Sequence, residues 1–195
     1  MESMSREIWL IRHGDTEWSV SGAHTGRTDI PLTPEGEKKA VAAGRMIAGR
    51  RFALVLTSPL QRARRTCELA GLGSGAQIDP DLMEWDYGEY EGMTSDQIRL
   101  TRPNWTIFRD GPAGGETIGQ VAARARQVIR RALEADGDVA LFAHGHILRV
   151  LAACWLGLPP DDARLIALSA GGVSTLGYEH ETPVIVRWNL TDLNV

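Results

Sequence analysis

Leu10-Ile11-Arg12-His13-Gly14-Asp15-Thr16-Glu17-Trp18 decides the fold. The apolar run Ile8-Trp9-Leu10-Ile11 leads into it and stops at a charge, so it reads as a buried strand running into a polar loop. The loop opens with chemistry. A neutral imidazole is a competent nucleophile toward phosphorus near pH 7. An arginine beside it can hold phosphoryl oxygens, and a glycine after it lets backbone approach closely. A structural histidine at a strand end is the competing reading, because three residues of this kind are common.

The same grammar recurs outward from this stretch. Thr33-Pro34 marks a helix start, with Thr as the cap and Pro at the first helical position. Ala40, Gly44, Ile47 and Ala48 follow at helical spacing. Leu54-Val55-Leu56 is a second strand. Ser58-Pro59 predicts a second helix by the same logic, with Leu60, Ala63, Cys67 and Ala70 on one face and Gly71 as its stop. From Pro80 to Gly115 the pattern is irregular and rich in aromatics and glycine, with a short helix expected after Thr94. Thr117 opens the longest helix, whose apolar face is Ile118, Val121, Ala122, Ala125, Val128, Ile129, Ala132 and Leu133, ended by Gly137. Val139 to Ala143 is another buried strand that ends in His-Gly. Ile147 to Leu156 reads as a buried helix. Val173 to Glu179 and Val184 to Leu190 flank His180-Glu181-Thr182-Pro183 as a closing pair of strands.

Strands alternating with helices predict an α/β domain with a largely parallel sheet. In such sheets ligands bind beyond the carboxyl ends of the strands. Arg12-His13, Thr57-Ser58 and His144 all fall there.

A length of 195 residues suits one domain over 1–195, with a small cap or loop region at about 80–115. The net charge of −4 argues against a general nucleic-acid binder. Lys38 and Lys39 are the only lysines, and the other cations are arginines, whose planar fork fits phosphate. Solvated helix faces account for most of them. Cys67 and Cys154 sit among apolar neighbours and are expected as reduced core thiols. Met1 to Glu7 is polar and carries no signal-type apolar region. The stretch near Ile147 to Leu158 is too short to span a membrane and is broken by Arg149. No membrane association and a cytoplasmic location are the expectations.

Three further stretches carry chemistry. Thr57-Ser58-Pro59-Leu60-Gln61-Arg62 places Arg62 in the first turn of a helix, where the helix terminus already favours anions. Glu84-Trp85-Asp86-Tyr87-Gly88-Glu89-Tyr90-Glu91 sets carboxyl groups among aromatics, the surroundings a general acid needs. Spacing alone does not choose Glu84 over Asp86, Glu89 or Glu91. Phe142-Ala143-His144-Gly145-His146 supplies a second histidine after a strand. It could hold charge on a transferring phosphoryl group. A metal shared with His13 is the rival, but no clear set of carboxylate ligands accompanies it.

These four elements, in this order, resemble the histidine phosphatase superfamily, the phosphoglycerate mutase-like proteins. The resemblance spans nearly the whole chain. It implies a three-layer sandwich with helices on both faces of the sheet. It implies that Arg12 and Arg62 clamp the phosphoryl group, that His13 is the nucleophile, that Glu84 is the proton donor and that His144 is the second active-site histidine. It also implies substrate contacts from Thr16, Ser19, Thr25, Gly26, Tyr87, Gly145 and His146. The family's mutases usually carry Asn where this chain has Ser19 and His146. Ser19-Val20-Ser21-Gly22, Thr25 to Asp29, Asn104-Trp105, Phe108 to Gly111 and His144 to His146 look closer to its small-molecule phosphatases. That subgroup includes fungal sedoheptulose-bisphosphatase-like enzymes and bacterial acid phosphatases.

The implied activity is phosphomonoester hydrolysis on a small phosphorylated metabolite, with no metal and no organic cofactor. A cofactor-dependent mutase is the leading rival, and a phosphohistidine protein phosphatase or a non-catalytic phosphate-binding domain stand further off. Arg102 and Arg109 are candidates to meet a second phosphate, or else solvated loop arginines. A homodimer is one option for the assembly.

Overall fold

The computed structural model describes residues 6–191. Residues 1–5, most of the polar stretch Met1 to Glu7, and residues 192–195 lie outside the described residues. The elements run β1 (Ile8–Arg12), α1 (Glu17–Ser21), α2 (Pro34–Ile47), β2 (Leu54–Thr57), α3 (Gln61–Leu69), β3 (Gln77–Ile78), α4 (Ser95–Thr101), α5 (Ile107–Asp110), α6 (Ile118–Glu134), β4 (Val139–Ala143), α7 (Gly145–Trp155), β5 (Val173–Glu179) and β6 (Thr182–Leu190). The six strands form one sheet in the order β3-β2-β4-β1-β5-β6. The first four pair in parallel, and β5 and β6 are antiparallel additions at one edge.

Alternation along the strands builds the three layers. Successive side chains of a strand point to opposite faces. Ile8 and Leu10 of β1 and Leu141 of β4 pack on one side with Val121, Ala125 and Val128 of α6 and with Ile147 and Leu151 of α7. Trp9 and Ile11 of β1 and Phe142 of β4 pack on the other with Ala43 and Ile47 of α2 and Cys67 of α3. Both faces of the central strands are therefore covered, which is why they read as unbroken apolar runs. Each fully buried valine or leucine stabilises the fold by roughly 1.5–3 kcal/mol relative to exposure. Among the described residues no helix is long and apolar enough to cross a membrane.

The capping threonines do what their positions predict. Thr33, Thr94 and Thr117 each accept a hydrogen bond from the backbone N–H three residues on, and the last two complete reciprocal capping boxes with Gln97 and Gln120. Four expectations need correction. Ser58 does not start α3, whose first residue is Gln61; the N–H of Gln61 is met instead by Asp29 from a distant loop, at 2.8 Å. Leu133 lies off the buried stripe of α6 and is exposed. Gly137 follows the end of α6 by three residues and sits at φ +142°, in the turn into β4. Strand β6 starts at Thr182, with Pro183 paired to Tyr178; an edge strand tolerates proline because one side of its ladder has no partner. Cys67 and Cys154 are both free thiols, and burial pushes Cys67 up to about 12.

The parallel strands β2, β4 and β1 end level with one another. Arg12 lies in register with Ala143, and Thr57 with Phe142. The loop after β1 is then pressed against the start of α2 backbone to backbone. A Cβ on Gly14 would stand 2.0 Å from the carbonyl oxygen of Gly36, and one on Gly36 would stand 2.1 Å from that of Asp15. No other residue fits either position without moving the loop that carries His13.

Candidate active site

His13 is fixed by its backbone before its side chain is considered. Its N–H donates to Ala143 O at 3.0 Å, and its carbonyl accepts from Gly171 N at 3.0 Å. The ring nitrogen Nδ1 lies 2.6 Å from Gly14 O. A carbonyl only accepts, so Nδ1 carries the hydrogen, and in the neutral ring Nε2 is left with a free lone pair. Burial, with the positive charges of Arg62 and Arg12 added, holds the His13 pKa well below the usual histidine range. The neutral tautomer with a bare Nε2 is the form a nucleophile requires.

His144 is the opposite tautomer. Its Nδ1 accepts from Arg62 Nε at 3.2 Å, so its Nε2 carries the hydrogen and donates to Ser58 Oγ at 2.7 Å. Its ring meets that of His13 edge-on at 5.1 Å between centroids. Burial and the Arg62 charge keep it neutral too, with its pKa well below the usual range. Arg62 is fully buried and donates to the carbonyls of Thr28 (2.8 Å), Thr25 (3.1 Å) and Gly26 (2.9 Å). Four of its five N–H groups are thus used within the protein. Glu91 braces the same loop from the far side, accepting from Gly26 N at 2.8 Å and Thr28 N at 3.1 Å.

Glu84 is buried at the start of α7. Its Oε1 accepts from Trp85 N (3.0 Å) and Ile147 N (2.9 Å), and its Oε2 from His146 N (2.9 Å). The surroundings are therefore a helix N-terminus as well as the aromatic rings expected. Of the other carboxylates of this segment, Glu89 is exposed and two are engaged elsewhere. Asp86 accepts from Gly88 N and pairs with Arg27, and Glu91 braces the loop above. The Glu84 backbone is held by Arg124, whose guanidinium donates to the carbonyls of Asp81 and Met83 and pairs with Glu116 at 2.8 Å.

A cavity of about 270 Å³ opens at the carboxyl ends of the strands, with His13 and Glu84 in its lining. Arg12, His13, Ser19, Thr25, Glu84, Tyr87, Gly145 and His146 all line it, so most residues anticipated from the sequence converge. Arg12 brings a buried Nε with no hydrogen-bond partner in the protein. Tyr87 bonds through its hydroxyl to His146 Nδ1, and burial beside Glu84 raises its pKa well above the usual range, so the phenol stays protonated.

Some anticipated residues are placed otherwise. Thr16 is fully buried, and its hydroxyl and N–H form a capping box with Ser19 at the start of α1. Gly26 acts through backbone alone, and a Cβ there would stand 2.5 Å from Trp85 O. Arg62 and His144 stand behind His13, both fully buried. Arg102 and Arg109 do not reach the cavity: they are exposed, one bonded to the Tyr90 hydroxyl and the other paired with Asp110.

Three residues of this region were given no role from the sequence. Ser58 receives the His144 proton donor. His24 lines the cavity and stacks on His146 at 6.4 Å and 8° between planes. Arg149 lines it as well. The available signal for Arg149 was its position: a lone cation in an apolar helix, four residues after Gly145. Among the described residues no group of three or more His, Cys, Asp or Glu side chains is placed to hold a metal ion.

Comparisons with known proteins bear on the family and the fold. The family model for the histidine phosphatase superfamily (branch 1) matches residues 8–191. An acid phosphatase of Mycobacterium tuberculosis is 36% identical over 191 residues, covering 96% of this chain and 94% of that protein. A sedoheptulose 1,7-bisphosphatase of Saccharomyces cerevisiae is 37% identical over 190 residues, covering 81% and 70%. A 2,3-bisphosphoglycerate-dependent phosphoglycerate mutase of Brucella melitensis is 32% identical over 206 residues, covering 95% and 94%. A solved structure from Mycobacterium tuberculosis superposes with a TM-score of 0.91 at 35% identity, over 95% of this chain and 98% of that one. With the family match running from β1 through β6, the chain belongs to the histidine phosphatase superfamily, branch 1.

Proposed function

We propose that this enzyme hydrolyses small phosphomonoesters in two steps through a phosphohistidine on His13. The observation that carries the proposal is the His13 tautomer: Nδ1–H is committed to Gly14 O, and Nε2 is the nitrogen left to attack. In the first step the Nε2–P bond forms, the P–O bond to the leaving group breaks, and Glu84 gives its proton to the departing oxygen. In the second step water attacks phosphorus, its proton passes to Glu84, and the Nε2–P bond breaks. Arg12 offsets the charge on the equatorial oxygens directly, where a fixed donor acts without reorganising, while Arg62 adds its positive charge from behind His13 and His144 helps hold the Arg62 guanidinium in place. Arg12 fits this role through its unpartnered Nε.

Hydrolysis rather than phosphoryl return is favoured by the segment from Met93 to Gly114. It is short and holds only α4 and α5, so the small cap it forms over the site leaves water access to the phosphohistidine. The cavity lies near the small end of metabolite sites, roughly 300–1,000 Å³. We place the reaction in the cytoplasm, which two free thiols fit.

The test is product analysis over a panel of phosphomonoesters in excess chelator, with 3-phosphoglycerate included both alone and primed with 2,3-bisphosphoglycerate. Phosphate release that chelator does not reduce is the expected result. Fast, primed formation of 2-phosphoglycerate with little free phosphate would make the enzyme a mutase. Activity lost to chelator and restored by a divalent ion would return His13 and His144 to a metal.

A further inference from the structure

Arg149 is an anomaly in its helix. Around it on α7, Ile147, Leu148, Val150, Leu151, Ala152 and Ala153 are all fully buried and apolar. It follows Gly145 by four residues, which places both on one helix face, and both line the cavity that holds Arg12 and His13. Its guanidinium lies over the Phe108 ring at 4.7 Å. Its hydrogen bonds go to the carbonyls of Ala163 (3.2 Å) and Arg164 (3.4 Å) and, among the described residues, to no carboxylate. These bonds use two of five N–H groups.

A partly buried cation without an anionic partner is costly, and such charges are normally paired. Three other arginines around the cap are paired with carboxylates, and Arg102 is exposed and bonded to the Tyr90 hydroxyl. Arg27 has Asp86 and Glu116, Arg99 has Asp96, and Arg109 has Asp110. Arg149 is held in place by carbonyls and an aromatic face, with its remaining donors left for something that enters the cavity. His24 also lines the cavity, and its Nδ1 is committed to Met93 O at 2.7 Å, which leaves Nε2 as an acceptor for a hydroxyl.

We propose that Arg149 is the anchor of a second anion subsite, so that the preferred substrates carry a second anionic group, phosphate or carboxylate, beyond the phosphoryl group that meets His13. A polyol between the two groups would meet His24. This proposal rests on the hydrolase reading above.

The experiment compares the wild type with Arg149→Met, which keeps an unbranched apolar stem against Phe108 and removes the charge. kcat/KM is measured for fructose 1,6-bisphosphate against fructose 6-phosphate, for 3-phosphoglycerate against glycerol 3-phosphate, and for p-nitrophenyl phosphate. The wild type is expected to prefer the member of a pair with the extra anion at least tenfold. The variant is expected to lose roughly 10- to 100-fold on that member and only a few-fold on the others. Preference in the first pair alone assigns the subsite to phosphate, and in the second alone to carboxylate. Equal losses on all five substrates, or no wild-type preference in either pair, would overturn the subsite while turnover of p-nitrophenyl phosphate leaves the hydrolase reading standing. A wild type that turns over none of the five would overturn the reading on which the subsite rests.

Discussion

Glu84 meets three backbone N–H groups, two of them from the first turn of α7, and lines the cavity that holds His13. Oε1 accepts two of these bonds and Oε2 only one, so Oε2 keeps a lone pair through which the carboxyl group can exchange a proton with substrate without leaving its seat. If it protonates the leaving oxygen, its value depends on how badly that oxygen needs a proton. Glu84→Gln should cost 10²- to 10⁴-fold, the usual range for a general acid, on a sugar phosphate whose alkoxide leaves poorly. The loss on p-nitrophenyl phosphate should be less than about tenfold, since nitrophenolate leaves unaided. The ratio of the two losses in kcat is the measurement, and equal losses would remove Glu84 from the acid role. At this scale the sequence was legible where a motif is local, as at Arg12-His13-Gly14. It could not choose among Glu84, Asp86, Glu89 and Glu91, because the choice is made by residues far along the chain. The donors at His146 and Ile147 single out Glu84, and the N–H groups of Gly26 and Thr28 give Glu91 its separate task.

Elements were legible wherever one signal was both strong and local. The apolar runs of β1, β2 and β4 gave their strands, and Thr33, Thr94 and Thr117 marked the true starts of α2, α4 and α6. The start of α3 was misread because Ser58 is drawn into the buried network with His144, while Asp29 takes over the helix N-terminus from another loop. Helices α1 and α5 are five and four residues long, too short for a periodic pattern to show. The placement of His24 depends on a lone bridge between Ala23 and Thr94, which brings the loop after α1 against the start of α4. No spacing in the sequence carries such a contact. The same limit explains Arg102 and Arg109, which looked like anion binders in a loop but are turned to solvent and partnered locally.

The whole molecule commits four of its five histidines to this one site: His13, His24, His144 and His146. Burial lowers the pKa of each, so all four are held neutral in the folded state. In the unfolded chain they titrate near 6.5. Below that pH the unfolded state takes up protons that the folded state refuses, and stability falls as pH falls. Each such histidine removes up to about 1.4 kcal/mol per pH unit, from 6.5 down to its own lowered folded value. The Tm should therefore drop steeply between pH 7 and pH 5, and His24→Gln should make the slope shallower. A Tm that stays level across that interval would contradict the neutral, buried state of these rings.

The central claim is that the phosphoryl group passes through His13. Brief reaction with a ³²P-labelled phosphomonoester, followed by rapid denaturation in alkali, tests it most directly. The account predicts label on the protein that is stable to base and labile to acid, located on Nε2 of His13 and absent from His13→Ala, which should also lose turnover by several powers of ten while keeping its fold. Rapid turnover by the wild type with no such label at any quench time, or near-native turnover by a folded His13→Ala protein, would contradict it.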